Sequence, residues 1–212
     1  MARVIFFDIG NVIVKFDYSV ALQRLKAGCD RPDLPERPEF MALKWAYEGG
    51  QMGKQQFLQE ARDLIGYRDS LEAFEKLWQE IFTLNEPMAD LIGRIRDSRL
   101  LHISNISDLH HDYLWAKFPV FHRFEGGIYS YVIQKLKPDP DVFRVALETY
   151  ELAPEEVLFV DDLEDNIEAA RSVGLPSWHY HHEAHSAFER WLRENEVVIG
   201  QGSPAEETDL LS

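Results

Sequence analysis

Apolar positions along the chain fall into two kinds of pattern. Val4-Ile5-Phe6-Phe7 is a continuous apolar run that stops at Asp8 and is followed by Gly10 and Asn11. That is the signature of a buried strand (residues 3–7) ending in a turn. Residues 12–16 alternate in part and predict a short hairpin or flap. The next stretch is helical in spacing. Val20, Leu22 and Leu25 precede Gly28, a helix stop, and three prolines between 31 and 38 demand a loop. Phe40, Leu43 and Tyr47 form one helical stripe, and Phe57, Leu58, Leu64 and Ile65 form another, with a glycine-rich loop over 49–53 between them. Leu71, Phe74, Leu77, Trp78, Ile81 and Phe82 predict a strongly amphipathic helix.

Beyond Asn85-Glu86-Pro87 the period alternates. Helices are predicted over 88–96, 109–118, 140–150, 164–172 and 184–194, and strands over 99–103, 157–160 and 178–180, with a β-rich stretch at 124–133. Asp139 is the expected N-cap and Pro140 the first helical residue of the 140–150 helix. Alternating strands and helices predict an α/β fold, a Rossmann-like parallel sheet with helices on both faces. The helical stretch after the first strand reads as an insertion. The expected division is a core of 1–16 and 86–199, a helical cap of 17–85, and a loose acidic tail of 200–212.

Composition narrows the partners. The 212 residues hold 22 Lys+Arg against 37 Asp+Glu, a formal charge of −15. Nucleic acid and anionic membranes select basic surfaces, so neither is expected. Cys29 is the single cysteine, which excludes an internal disulfide framework and a cysteine-rich zinc site and suits a reducing compartment. No apolar run approaches the roughly 18 residues of a membrane span. The apolar run at 4–7 is also shorter than the about 7–15 residues of a signal-peptide core. A cytoplasmic protein, monomeric or weakly dimeric, is expected.

Open parallel sheets bind ligands at the carboxyl ends of their strands. There the sequence puts Asp8 with Gly10-Asn11, then Ser104-Asn105, then Lys137-Pro138 before a helix, then Asp161-Asp162 with Asp165-Asn166. This inventory suits transfer of a phosphoryl group to a carboxylate. Asp8 is the candidate nucleophile. Mg2+ takes oxygen ligands and few protein carboxylates, and Asp8, Asp162, the Gly10 carbonyl and Asp161 are its candidate ligands. Ser104 and the Asn105 N–H are candidate phosphate donors. Lys137 would neutralise charge on the aspartate and phosphate. Asn166 and Asp165 are candidates for supporting these groups from behind, with a helix-surface role as the equal alternative for Asp165. Two carboxylates about 4 Å apart repel by about 4 kcal/mol at an effective dielectric near 20, so this crevice predicts a bound cation.

In this order the motifs Phe7-Asp8-Ile9-Gly10-Asn11-Val12, Ser104-Asn105, Lys137-Pro138-Asp139 and Val160-Asp161-Asp162 resemble those of the haloacid dehalogenase-like (HAD) hydrolases. The resemblance covers residues 3–182. It implies that the helical insertion is a C1-type cap closing over the site. The Asp-x-Gly-Asn-Val form, with Glu48 and Gly50 in the cap, is most similar to a subgroup that includes an α-glucose-1-phosphate phosphatase. One departure stands out. Family phosphatases usually carry a second aspartate, the general acid/base, where this chain has Gly10. Such catalysis is typically worth about 10²–10⁴-fold. Asp17 or an ordered water is a candidate substitute, and the resemblance implies active members with this glycine.

The expected function is Mg2+-dependent hydrolysis of a small phosphorylated metabolite, a sugar phosphate favoured, through an aspartyl-phosphate on Asp8. Two alternatives compete. A 2-haloacid dehalogenase-type hydrolase also uses an aspartate, but the family's dehalogenases carry Tyr at the position of Gly10 and lack the acidic pair. A catalytically weakened binding protein is supported by Gly10 alone. Tyr47, Glu48 and Gly50 are candidates for a specificity loop, while Trp45 and Trp78 read as cap core. The histidines at 179, 181, 182 and 185 read as a polar loop, and His110-His111 as ordinary helix residues.

Overall fold

The structure is a computed structural model that describes residues 3–16, 23, 28–29 and 38–201. Asp17, most of the helix expected around Val20–Leu25, residues 31–37 of the proline-bearing loop and the tail beyond 201 lie outside the described residues.

In chain order the elements are β1 (Val4–Phe7), β2 (Val14–Phe16), α1 (Pro38–Glu48), α2 (Lys54–Ile65), α3 (Leu71–Gln79), β3 (Phe82–Leu84) and α4 (Glu86–Arg94). Then follow β4 (Ile95–Arg96), β5 (Arg99–Ser104), α5 (Asp108–Lys117), β6 (Gly126–Tyr129) and the single turn α6 (Ser130–Ile133). The chain continues through α7 (Pro140–Thr149), β7 (Val157–Asp161), α8 (Glu164–Ser172), β8 (Ser177–His179), α9 (His185–Glu194) and β9 (Val198–Ile199). Local chemistry explains several boundaries. Ser70 accepts from the Ala73 N–H at the start of α3, and Ser107 from the His110 N–H at the start of α5. Asp139 caps α7 through the Asp141 N–H with Pro140 in its first turn. Gly66 ends α2 at φ 66°, a left-handed conformation that glycine adopts without cost.

Five parallel strands form the sheet in the order β6-β5-β1-β7-β8. Consecutive residues of β1 face opposite sides of the sheet. Ile5 and Phe7 join the apolar cluster that contains Phe121, Tyr180 and Phe188 and runs on into the helices of the insertion. Val4 and Phe6 join the other, with Leu101, Ile103, Phe143 and Phe159. Because β5 and β7 flank β1 while the chain runs outward in both directions, the strand order reverses at β1. That reversal opens a crevice at its carboxyl end.

Three elements differ from the sequence expectation. Phe82 does not extend α3, which ends when the Glu80 N–H bonds the Lys76 carbonyl. Instead β3 pairs antiparallel with β2, Phe16 opposite Phe82, and the two rings pack at 5.3 Å. An apolar residue at helical spacing is buried equally well on a short strand, so periodicity could not separate the two. The β-rich stretch at 124–133 shortens to Gly126–Tyr129 and turns helical at Ser130. The helix expected to 96 stops at Arg94, and Ile95 pairs with Ile199. No helix among the described residues is long and apolar enough to cross a membrane.

Candidate active site

The strand ends deliver the charged groups. Asp8 follows β1 and is held by its N–H bonding the Val160 carbonyl at 2.9 Å. Asp161 closes β7 and is fully buried. Between them stands Lys137, whose Nζ lies 2.8 Å from Asp8 Oδ1 and 2.5 Å from Asp161 Oδ2, and donates to the Ile103 carbonyl at 2.9 Å. The lysine is fixed from behind by Asn105. Its Oδ1 accepts the Lys137 N–H at 2.8 Å, and its Nδ2 donates to the Lys137 carbonyl at 2.9 Å. Asp161 Oδ1 accepts from the Leu163 N–H and from Asn166 Nδ2. Both oxygens of Asp161 therefore have protein donors, and Asn166 supports it directly. Asp165 is exposed on α8.

Asp162 completes the acidic group. Asn11, at φ 50°, turns its Nδ2 onto Asp162 Oδ2 at 3.0 Å. Asp8, Asp161 and Asp162 each offer an oxygen within 4.8 Å of the others. Among the described residues no other group of three or more carboxylate, histidine or cysteine side chains is arranged in this way. The histidines at 179–185 form no such group. His179 instead bonds the Asp162 carbonyl and pairs with Glu164.

Burial acts against charge here. It pushes Asp8 up to about 7, with Lys137 pulling down and Asp161 and Asp162 pushing further up. Burial also raises Asp162, partly offset by the Asn11 hydrogen bond. For Lys137 burial acts downward, yet Asp161 and Asp8 outweigh it and the net shift is upward. One ammonium among three carboxylates leaves an excess of negative charge. An all-oxygen donor set of this kind fits a small divalent cation such as Mg2+. Asp8 and Asp162 fit best as ligands, since among the described residues side chains engage only one oxygen of each.

Asp8, Lys137 and Asp162 floor a cavity of about 240 Å³, with Asp161 behind them. Ser104 and Asn105 border it from the end of β5, and Gly10 and Phe16 from the β1–β2 side. A Cβ on Gly10 would stand 3.0 Å from the Phe16 ring. The place where a side chain would begin is thus taken up by the Phe16 ring. A further wall comes from the inserted helix α1 and from α5, through Lys44, Trp45, Glu48 and His110. Lys44 Nζ and Glu48 Oε2 pair at 2.8 Å. Burial raises Glu48, against the pull of Lys44.

Of the residues proposed for a specificity loop, Glu48 lines the cavity, while Tyr47 and Gly50 are not among its lining residues. Tyr47 stacks on Phe57 at 4.4 Å and its hydroxyl bonds Asp108. Gly50, at φ 68°, packs where a Cβ would meet the Tyr131 carbonyl at 2.4 Å. Trp45, read as cap core, is 54% exposed at the cavity rim. Sequence reasoning also missed Lys44 and His110. The available signal was their position, Lys44 one helical turn before Glu48 and His110 in the first turn of the helix that follows Ser104-Asn105.

A family model described as haloacid dehalogenase-like hydrolase matches residues 2–174. D-ribitol-5-phosphate phosphatase of Bacteroides thetaiotaomicron is 26% identical over 211 residues, covering 94% of this chain and 99% of that protein. Among solved structures, a HAD-family enzyme of the same organism, in complex with magnesium and inorganic phosphate, superposes with a TM-score of 0.75. It is 21% identical and covers 86% of this chain and 96% of its own. A protein of Porphyromonas gingivalis described as a predicted HAD-like family hydrolase gives a TM-score of 0.72 at 25% identity, covering 91% of this chain and 98% of its own.

Proposed function

The chain belongs to the haloacid dehalogenase-like hydrolases, and we propose that it is a Mg2+-dependent phosphatase of a small phosphorylated metabolite, a sugar or polyol phosphate. The observation that carries this is the Lys137 ammonium bridging Asp8 and Asp161 beside Asp162, at the floor of a cavity. A related phosphatase acts on a pentitol phosphate, and a cavity of about 240 Å³ lies just below the roughly 300–1,000 Å³ of drug-sized sites. A small ester fits it.

Asp8 attacks phosphorus, an Asp8–phosphorus bond forms, and the bond to the ester oxygen breaks as the alcohol leaves with a proton. Water then attacks phosphorus, the acyl-phosphate bond breaks, and the Asp8 carboxylate and inorganic phosphate are regenerated. Lys137 holds Asp8 in position and offsets its charge. The Ser104 hydroxyl and Asn105 N–H hold phosphate oxygens, where fixed donors act on charge that develops in the transition state. Mg2+ would sit on Asp8, Asp162 and the Gly10 carbonyl, with Asp161 behind, and would supply the positive charge that lets a carboxylate approach a phosphate dianion. The helices over 38–79 serve as the cap. With no carboxyl at Gly10, an ordered water or Asp17 delivers and takes the protons, and turnover is slower than in relatives with an aspartate there.

The test is phosphate release from a panel of phosphate esters with and without Mg2+, beside Asp8→Asn. Release that requires Mg2+ and disappears in Asp8→Asn is expected. Absence of release from every ester removes the reading, and Mg2+-independent halide release from a 2-haloacid replaces it.

A further inference from the structure

Beyond the acidic floor, the cavity lining carries two hydrogen-bond acceptors that the reaction at phosphorus does not use. His110 is buried, and its Nε2 lies 3.0 Å from the Trp78 carbonyl. A carbonyl can only accept, so Nε2 carries the hydrogen. Burial lowers His110 to about 4, which keeps the ring neutral near pH 7. Nδ1 therefore holds a lone pair, and no described residue bonds it, although the ring lines the cavity. Glu48 repeats the arrangement. Its Oε2 is taken by Lys44, its Oε1 has no donor among the described residues, and its side chain lines the same cavity. Neither atom is sealed off, so each keeps surface through which a ligand hydroxyl can supply the missing donor. Beside both, Trp45 presents a half-exposed indole and Phe16 an exposed ring at the rim. The wall thus combines acceptors for O–H groups with flat apolar faces for C–H groups.

We propose that His110 and Glu48 are specificity-determining residues that accept hydrogen bonds from the leaving group, selecting phosphate esters of neutral polyhydroxy alcohols. A carboxylate-bearing leaving group would meet the Glu48 carboxylate and the His110 lone pair, and among the described residues lining the cavity both ammonium groups are already paired, Lys44 with Glu48 and Lys137 with Asp8 and Asp161. This inference rests on the phosphatase reading and adds which residues choose the ester.

The experiment measures kcat and KM in Mg2+ for a pentitol phosphate, for phosphoglycolate and for p-nitrophenyl phosphate, which lacks aliphatic hydroxyls. The parent protein is expected to prefer the pentitol phosphate over phosphoglycolate by at least about ten-fold in kcat/KM. His110→Phe and Glu48→Gln should each lower kcat/KM for the pentitol phosphate by about ten-fold, mainly through KM, the scale of one lost hydrogen bond. Both should leave p-nitrophenyl phosphate within about two-fold. Glu48→Gln keeps the side chain's volume and guards against a folding defect in His110→Phe, which removes the donor to Trp78. An equal loss on all three substrates in both variants makes the residues structural and overturns the proposal. Hydrolysis of p-nitrophenyl phosphate with no preference for the pentitol ester overturns it while leaving the phosphatase reading intact. No hydrolysis of any ester overturns both.

Discussion

The floor and the further wall of the cavity bury polar groups by opposite means. On the floor, a buried ammonium is paired with carboxylates, which leaves negative charge for a cation. Lys137 touches Asp8 and Asp161, and every oxygen of Asp161 is paired. On the wall, His110 is kept uncharged by burial, and the Lys44–Glu48 pair leaves one oxygen unmet. A paired buried charge is a device for holding atoms in place, because removing either partner strands the other. A neutral acceptor without a donor is a device for recognition, because only an incoming group completes it. The floor therefore suits chemistry that is the same for every ester, and the wall suits the part of the ester that differs.

The sharpest way to break this division is Asp8→Asn. If the floor does the chemistry, kcat falls by at least about 10⁴-fold for every ester alike. A loss that differs between esters would mean that floor and wall are not separable. Next in size is Lys137→Met, which leaves Asp161 buried beside an apolar chain. Folding stability should fall by about 3–5 kcal/mol in chemical denaturation near pH 8, whereas a change below about 1 kcal/mol would show that the cluster does not depend on its ammonium.

The floor and wall also respond to pH with opposite signs. The Asp8 value is raised from 3.8 to about 7, so between those values the folded, metal-free protein holds a proton that the unfolded chain has lost. Its contribution to stability falls as pH rises through that window. Asp8→Asn should therefore stabilise the metal-free protein by about 1–4 kcal/mol at pH 8 and by little at pH 4, read from denaturation midpoints. His110 is lowered from 6.5 to about 4, so its contribution is full above pH 6.5 and is lost as pH falls toward 4. His110→Phe should flatten the acid side by about 1–3 kcal/mol and leave the Asp8 window unchanged. A variant that altered both windows would join the two regions into one electrostatic unit. Smallest is Trp45→Ala. At 54% exposure it should change stability by no more than about 0.5 kcal/mol, and a larger loss would place the indole in the packing of α1 rather than at the rim.

The floor was legible in the sequence because each of its groups sits next to the strand that carries it. An apolar run stopped by Asp8, and another stopped by Asp161-Asp162, announce both the strand and its chemistry within a few residues. Lys137 was legible through the helix start beside it. The wall was not legible. Lys44, Trp45 and His110 are ordinary helix residues in sequence, and Trp45 was read as cap core for its large apolar ring. What carries α1 over the strand ends is the contact of Phe40 with Phe57 and Trp78, and of Trp78 with His110. Those contacts join residues far apart in the chain, and no local pattern specifies them. Phe82 teaches the same lesson in reverse, since its apolar position was read correctly and its secondary structure was decided by a strand partner at Phe16.

The sequence by itself determined the parallel α/β core, the helical insertion and the acidic strand ends, because the period of apolar residues and the residue that interrupts it act over one or two turns of chain. Only the tertiary structure decided that both oxygens of Asp161 are engaged by Lys137, Leu163 and Asn166. It also decided that Phe16 covers Gly10, and that Glu48 and His110 face the same space. Pairing a buried charge and orienting a lone pair depend on distances of a few ångströms between distant segments, and those distances exist only once the helices have packed.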